Sequence, residues 1–217
     1  YDSSKTKEYF LSSESSRTYP YFKNYNNQIT MYPIFSPSKL DLKIIVYSKD
    51  KKFISPSFKF STSSKTPLNI IVNDFVQEQK IKDATAFSLI AQSKNKKIQT
   101  RVNHQLIYSD IDKSNSLKCS INLSLTNKSV FLQKNKKSFV WGQTINHKDY
   151  SSKLGICYKT ADGESDKIRI NFYNDTGRVK KITKILHPRE SLIIDINKIF
   201  RSSKKLKFYW YNVECDR

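Results

Sequence analysis

The sequence predicts an all-β protein, an antiparallel sandwich architecture made of two related sandwich-like halves. Three observations predict it. First, one apolar rhythm occurs twice. Lys43-Ile44-Ile45-Val46-Tyr47-Ser48-Lys49-Asp50 and Arg169-Ile170-Asn171-Phe172-Tyr173-Asn174-Asp175-Thr176 each alternate up to a tyrosine and then enter a polar turn. A lysine-rich stretch and a proline follow in both (Pro67, Pro188), and then a second apolar run, Leu68 to Phe75 in one and Leu192 to Phe200 in the other. The match is strongest over residues 41–76 and 166–200, and such self-similarity marks a repeated structural unit. Second, thirteen Tyr and thirteen Phe against only four Gly favour strands, because ring and β-branched side chains fit a pleated surface. Third, turn residues separate short apolar stretches at roughly eight- to twelve-residue spacing, the rhythm of sandwiches and barrels.

Along the chain, residues 1–30 lack periodicity and read as an irregular N-terminal arm, its aromatics docked on the body. A first sandwich-like unit is expected over 31–110. Ile29 to Phe35 suggests a strand that Pro33 ends or confines to an edge. Leu42, Ile44 and Val46 alternate into the turn Ser48-Lys49-Asp50-Lys51, and Phe53, Phe58 and Phe60 continue the return. After Pro67 comes the strand Leu68 to Val72, then a polar stretch, Val76 to Asp83, that suits a short helix or loop. Strands follow at Ala86 to Ala91 and Gln99 to Tyr108. The aperiodic segment 110–118 reads as the junction, and a second unit is expected over 118–217. There Cys119, Ile121, Leu123 and Leu125 alternate, and Thr126-Asn127-Lys128-Ser129 gives a turn. Val130 to Leu132, Ser138 to Trp141, Leu154 to Tyr158 and Lys167 to Tyr173 read as strands. Asp162-Gly163 predicts a hairpin between the last two of these. The closing strand, Leu206 to Val213, sets Phe208, Trp210 and Asn212 against Tyr209, Tyr211 and Val213.

Thirty-nine Lys and Arg against nineteen Asp and Glu leave a net charge of +20, a field that attracts polyanions. Basic turns concentrate it: Lys94-Asn95-Lys96-Lys97, Lys134-Asn135-Lys136-Lys137, Lys180-Lys181 and Lys204-Lys205. Gathered at one end of a sandwich, these loops would make a polyanion-binding surface, with Tyr209, Trp210 and Tyr211 as stacking partners. The same lysines would equally protect sheet edges from aggregation.

Two further clusters are candidate ligand contacts. On a strand, Arg101, Asn103 and Gln105 share one face, while His104 and Tyr108 share the other; amide and guanidinium groups together can hydrogen-bond a sugar or a phosphate. Trp141, Gln143 and His147 form the second cluster, where Gly142 implies a bend or a close approach. Each cluster also has a plain structural reading, as a solvated strand face and as a core-capping tryptophan.

Sequence motifs exclude several chemistries. The chain has no G-x-S-x-G, no phosphate-binding glycine loop, no dinucleotide fingerprint and no H-E-x-x-H, so no catalytic residue, metal or cofactor is assigned. Asp162-Gly163-Glu164-Ser165-Asp166 lacks the ligand spacing of a calcium loop. Cys119, Cys157 and Cys215 are an odd number without C-x-x-C spacing, which argues against a disulfide scaffold or thiolate zinc site. No apolar run approaches the roughly 18 residues of a membrane span. The chain begins at Tyr1, so a signal segment can have preceded it; a surface or extracellular setting is favoured over a cytoplasmic one. The expected function is a non-catalytic binding or structural module. It would engage an acidic partner, an anionic glycan or the acidic protein surface of a larger assembly. Nucleic acid bound through the same lysines is the alternative, and an enzyme sited around Arg101, His104, Trp141 and His147 is a third.

Overall fold

The computed structural model describes residues 14–32, 40–49, 51–60, 66–93, 103–111, 119–124, 126–127, 138–150, 152–157 and 164–216. It is all-β, with antiparallel pairing throughout the described strands and two short helices. The chain forms two compact units, Tyr1–Leu132 and Gln133–Arg217.

Unit one contains β1 (Glu14–Pro20), β2 (Tyr25–Met31), β3 (Leu40–Ser48), β4 (Lys52–Ile54), β5 (Phe58–Phe60), β6 (Leu68–Ile71), α1 (Val72–Glu78), β7 (Ala84–Ser93), β8 (Asn103–Asp110), β9 (Cys119–Ser124) and β10 (Thr126–Asn127). One sheet runs β10-β1-β7-β3-β4, with β5 also on β3; the other runs β6-β2-β8-β9. Leu42, Ile44 and Val46 of β3 are fully buried, as the period-two pattern requires, and pack with Phe87 and Leu89 of β7. Ile29 and Met31 of β2 and Leu106 of β8 meet them from the facing sheet, so the two sheets enclose one core.

The expected irregular arm is corrected over residues 14–30, while residues 1–13 lie outside the described residues. β1 pairs with β7 over seven residues, and β2 lies between β6 and β8. Its pattern was hidden because Ser16, Arg17 and Thr18 supply no apolar alternation, while Tyr19 and Tyr21 are buried. The β1–β2 connection is held by Asn27, whose Oδ1 accepts from the Phe22 N–H at 2.9 Å and whose Nδ2 donates to the Phe22 and Tyr25 carbonyls at 2.9 and 2.6 Å. The expected junction at 110–118 falls inside unit one, since β9 pairs with β8 and β10 with β1.

Unit two contains β11 (Ser138–Asn146), β12 (Lys153–Cys157), β13 (Asp166–Asn174), β14 (Gly177–Leu186), β15 (Ser191–Asp195), α2 (Ile196–Ile199) and β16 (Lys207–Cys215). Its sheets run β11-β16-β13-β14 and β12-β15. The expected β12–β13 hairpin is corrected: the two strands lie in different sheets, β12 on β15 and β13 between β16 and β14. The tight hairpin is instead β13–β14, where Gly177 takes φ +118° and Asn174 Oδ1 accepts from the Thr176 N–H at 3.0 Å. Ile168, Ile170 and Phe172 of β13 meet Leu154, Ile194 and Ile196 in a separate core.

The strand order of unit two matches part of unit one. β1-β7-β3-β4 corresponds to β11-β16-β13-β14, and β6-β2 to β15-β12. Both second apolar runs are strand-then-helix, β6 into α1 and β15 into α2. Val72 and Ile196, the first helical residues, are fully buried. The next residues, Asn73 and Asn197, each donate to a main-chain carbonyl of the loop region entering the second strand, Tyr25 O at 3.0 Å and Tyr150 O at 2.8 Å. Those bonds tie the start of each helix to the chain entering the second strand and satisfy the carbonyls there.

Candidate functional site

The β8 cluster is built into the core of unit one. His104 is 3% exposed and its Nε2 is hydrogen-bonded to the Tyr19 hydroxyl. Tyr108 donates to the Pro20 carbonyl at 2.7 Å, and its ring meets Phe22 edge-on at 4.8 Å. Gln105 accepts from Tyr32 at 3.1 Å, Asn103 is exposed, and Arg101 lies outside the described residues. His147 sits in the turn after β11: its Nδ1 accepts from the Asp149 N–H at 3.2 Å, and its Nε2 is 2.9 Å from the Lys204 carbonyl. His104 and His147 belong to different units. Among the described residues no cluster of three or more His, Cys, Asp or Glu side chains could hold a metal, and no helix is long and apolar enough to cross a membrane.

Trp141 and Gln143 lie elsewhere, on the outer face of the β11-β16-β13-β14 sheet. Opposite residues share a face, and register fixes the rows. Phe139 stands across from Glu214, Trp141 from Asn212, Gln143 from Trp210 and Ile145 from Phe208. On β13, Arg169, Asn171 and Tyr173 continue the rows from Glu214, Asn212 and Trp210, and β14 adds Lys181 beside Asn171. Both tryptophans of the chain stand here, Trp141 at 69% and Trp210 at 47% exposure, with Phe139 and Phe208 at 59% and 50%. Large exposed rings grouped on one face mark an interaction surface.

Polar groups punctuate this face. Asn171, though 5% exposed, donates to Asn212 Oδ1 at 2.8 Å, and Asn212 donates to the Tyr173 hydroxyl at 3.4 Å. The Asn171 Oδ1 is buried and has no hydrogen-bond partner among the described residues. Arg169 is forked onto Asp216, with one bond of 2.9 Å, and also meets Glu214 at 3.4 Å; these carboxylates raise its already high pKa. Its charge is therefore committed within the face. On this face the edge strand β14 displays Lys181 and, opposite Tyr173 at a bulge, Arg178; Lys180 and Lys184, opposite Phe172 and Ile168, are exposed on the other side of the same edge, and Lys204, Lys205 and Lys207 are exposed before and at the start of β16. Lys94, Lys96, Lys97, Lys134, Lys136 and Lys137 lie outside the described residues.

The topological match supplies an internal comparison. Aligned by register, Trp141, Trp210 and Asn171 of unit two stand where unit one has Thr18, Ala86 and Ile45. The shared strand order therefore does not call for tryptophan at these places. Phe139, Val140 and Phe208 went unremarked as site residues from sequence. Phe208 showed in the alternation of β16, and Phe139 and Val140 in the apolar run ending at Trp141, but neither pattern says which face is covered. Tyr209 and Tyr211, expected beside Trp210 as stacking partners, turn inward: Tyr209 stacks on Phe200 with ring centroids 4.0 Å apart. Burial raises the pKa of the Tyr211 phenol.

Gly142 does not bend β11, which runs on to Asn146; it makes room for Tyr211. A Cβ there would lie against the Tyr211 hydroxyl and 2.6 Å from its Cζ. Gly142→Val is expected to push that ring off its packing and destabilise unit two by about 1–3 kcal/mol. A thermal melt followed by tryptophan emission checks this, and an unchanged midpoint would refute it.

Comparison of the chain with protein-family models, curated proteins and solved structures returned no match.

Proposed function

We propose that this chain is a non-catalytic binding module that engages an acidic protein partner through the outer face of the β11-β16-β13-β14 sheet. The observation that carries the reading is the pairing of exposed Phe139, Trp141, Phe208 and Trp210 with the cations of β14 along the edge of the same sheet. Rings buried at the centre of an interface supply affinity, and rim charges supply attraction and selectivity. An acidic protein suits this face better than an anionic glycan or nucleic acid. Phe139 and Phe208 carry no hydrogen-bonding group for sugar hydroxyls or base edges, and the Asn171 and Asn212 NH2 groups already donate to Asn212 and Tyr173.

A synthetic copolymer of glutamate and tyrosine, heparin and an oligothymidylate serve as probes of the three acidic chemistries. The copolymer is expected to quench tryptophan emission at the lowest concentration, with affinity falling as salt rises. Trp210→Ala is expected to weaken it about 30-fold, as loss of a 2 kcal/mol anchor does. Tighter binding of heparin or oligothymidylate would replace the protein partner with a glycan or a nucleic acid. Binding of none at about 50 mM salt would end the acidic-partner reading.

A further inference from the structure

Both edges of the four-stranded sheet in unit two are described, and they are built in opposite ways. β14 carries Arg178, Lys180, Lys181 and Lys184, the charged side chains that keep an open edge from pairing with other chains. β11 reads Ser-Phe-Val-Trp-Gly-Gln-Thr-Ile-Asn: nine residues without a charge, in a chain of net charge +20. Among the described residues it pairs on one side only, with β16. Its first half is apolar on both faces at once, since Phe139, Val140 and Trp141 are consecutive and 59%, 60% and 69% exposed. Val140 points to the side of the sheet that holds the core and is still uncovered. A long, uncharged, apolar edge invites another strand.

Unit one shows what such an edge accepts. Its corresponding strand, β1, is paired on both sides, with β7 and with the antiparallel strand β10. Ser15 and Ser16, which β10 covers, occupy the register positions of Ser138 and Phe139 in unit two.

Resting on the reading of an acidic protein partner, we propose that β11 receives an antiparallel strand from an extended segment of that partner. The segment alternates apolar and small polar residues and has acidic residues at its ends. Main-chain hydrogen bonds along β11 provide affinity, and Phe139, Val140 and Trp141 provide apolar contacts on the two faces of the added strand. The acidic ends follow from the flanks. In the sequence β11 is preceded by Lys134, Lys136 and Lys137 and followed by Lys148 beside Asp149, so the lysines concentrate at its entry, whereas the strand itself has no charge to match.

The test uses the whole chain and two synthetic peptides. Both carry a nine-residue apolar–polar stretch, the length of β11, between paired aspartates; one alternates valine and threonine, and the other has prolines in place of the central threonines. The regular peptide is expected to bind and to slow amide hydrogen exchange over residues 138–146 by at least about tenfold, leaving β14 unchanged. Val140→Lys, at an exposed position that tolerates the change, is expected to weaken it about tenfold or more with an unaltered circular dichroism spectrum. A regular peptide with lysines in place of the aspartates is expected to bind at least about tenfold more weakly. Equal binding of the proline peptide would overturn strand addition while leaving the acidic-partner reading intact. Failure of both peptides would overturn strand addition at β11, and the copolymer titration then decides the acidic-partner reading by itself. Concentration-dependent dimerisation that protects 138–146 and is abolished by Val140→Lys would make a second copy the occupant and overturn the proposal.

Discussion

Replacing Phe172 by alanine is expected to destabilise unit two by about 3–5 kcal/mol, enough to leave it largely unfolded near body temperature. Phe172 is fully buried in the second half of β13. Its ring meets Phe200 edge-on at 5.4 Å and Tyr211 at 6.2 Å, so it joins the sheet to the segment after α2. Only eight buried hydrophobic residues make up that core among the described residues, so one phenyl ring is a large share of it. Tryptophan emission isolates the effect, because both tryptophans lie in unit two. A urea midpoint that stays within error of the parent would refute it. Phe172→Leu, which keeps most of the volume, is expected to cost under about 1.5 kcal/mol.

Asn27→Ala is expected to cost unit one roughly 3 kcal/mol, the consequence of stranding buried polar groups. Asn27 is fully buried, and its amide satisfies the Phe22 N–H, the Phe22 carbonyl and the Tyr25 carbonyl. The Asn27 backbone N–H in turn donates to Asn73 Oδ1 at 2.7 Å, so the same network reaches α1. Alanine removes the donors and the acceptor and offers nothing to replace them. Asn26, exposed beside it, is the control, and its alanine variant is expected to change stability by less than about 0.5 kcal/mol. Faster amide exchange at Phe22 should accompany the loss. An Asn27 variant as stable as the Asn26 variant would show that the loop does not depend on this amide.

Much of the fold was legible because burial writes itself into sequence at period two. Leu42, Ile44 and Val46, and likewise Ile168, Ile170 and Phe172, alternate because one face of each strand is sealed in a core. β1 was illegible for the opposite reason. Serine, arginine and threonine flank its buried Tyr19, and the strand is held by its long ladder with β7 more than by an apolar stripe. The hairpin from Asp162-Gly163 failed on a related ground: a turn motif reports local backbone preference, while the choice of partner strand depends on which sheet buries the apolar face.

The candidate site was half legible. Trp141, Gln143, Lys180 and Lys181 were singled out from sequence, and the sheet brings them onto one structure with Trp210, Phe139 and Phe208. His104 and Tyr108 attracted attention by their chemistry alone, and the core uses them as bridges to Tyr19 and Pro20. By itself, the sequence determined the all-β class, the positive charge and the repeated apolar rhythm, since each is a property of composition or of spacing along the chain. Only the tertiary structure decided that β16 turns its tyrosines inward and its tryptophan outward, that β14 is the charged edge and that β11 is the uncharged one. Those outcomes depend on strand order and on how far the smaller sheet covers the larger, and both are set by contacts between residues far apart in sequence.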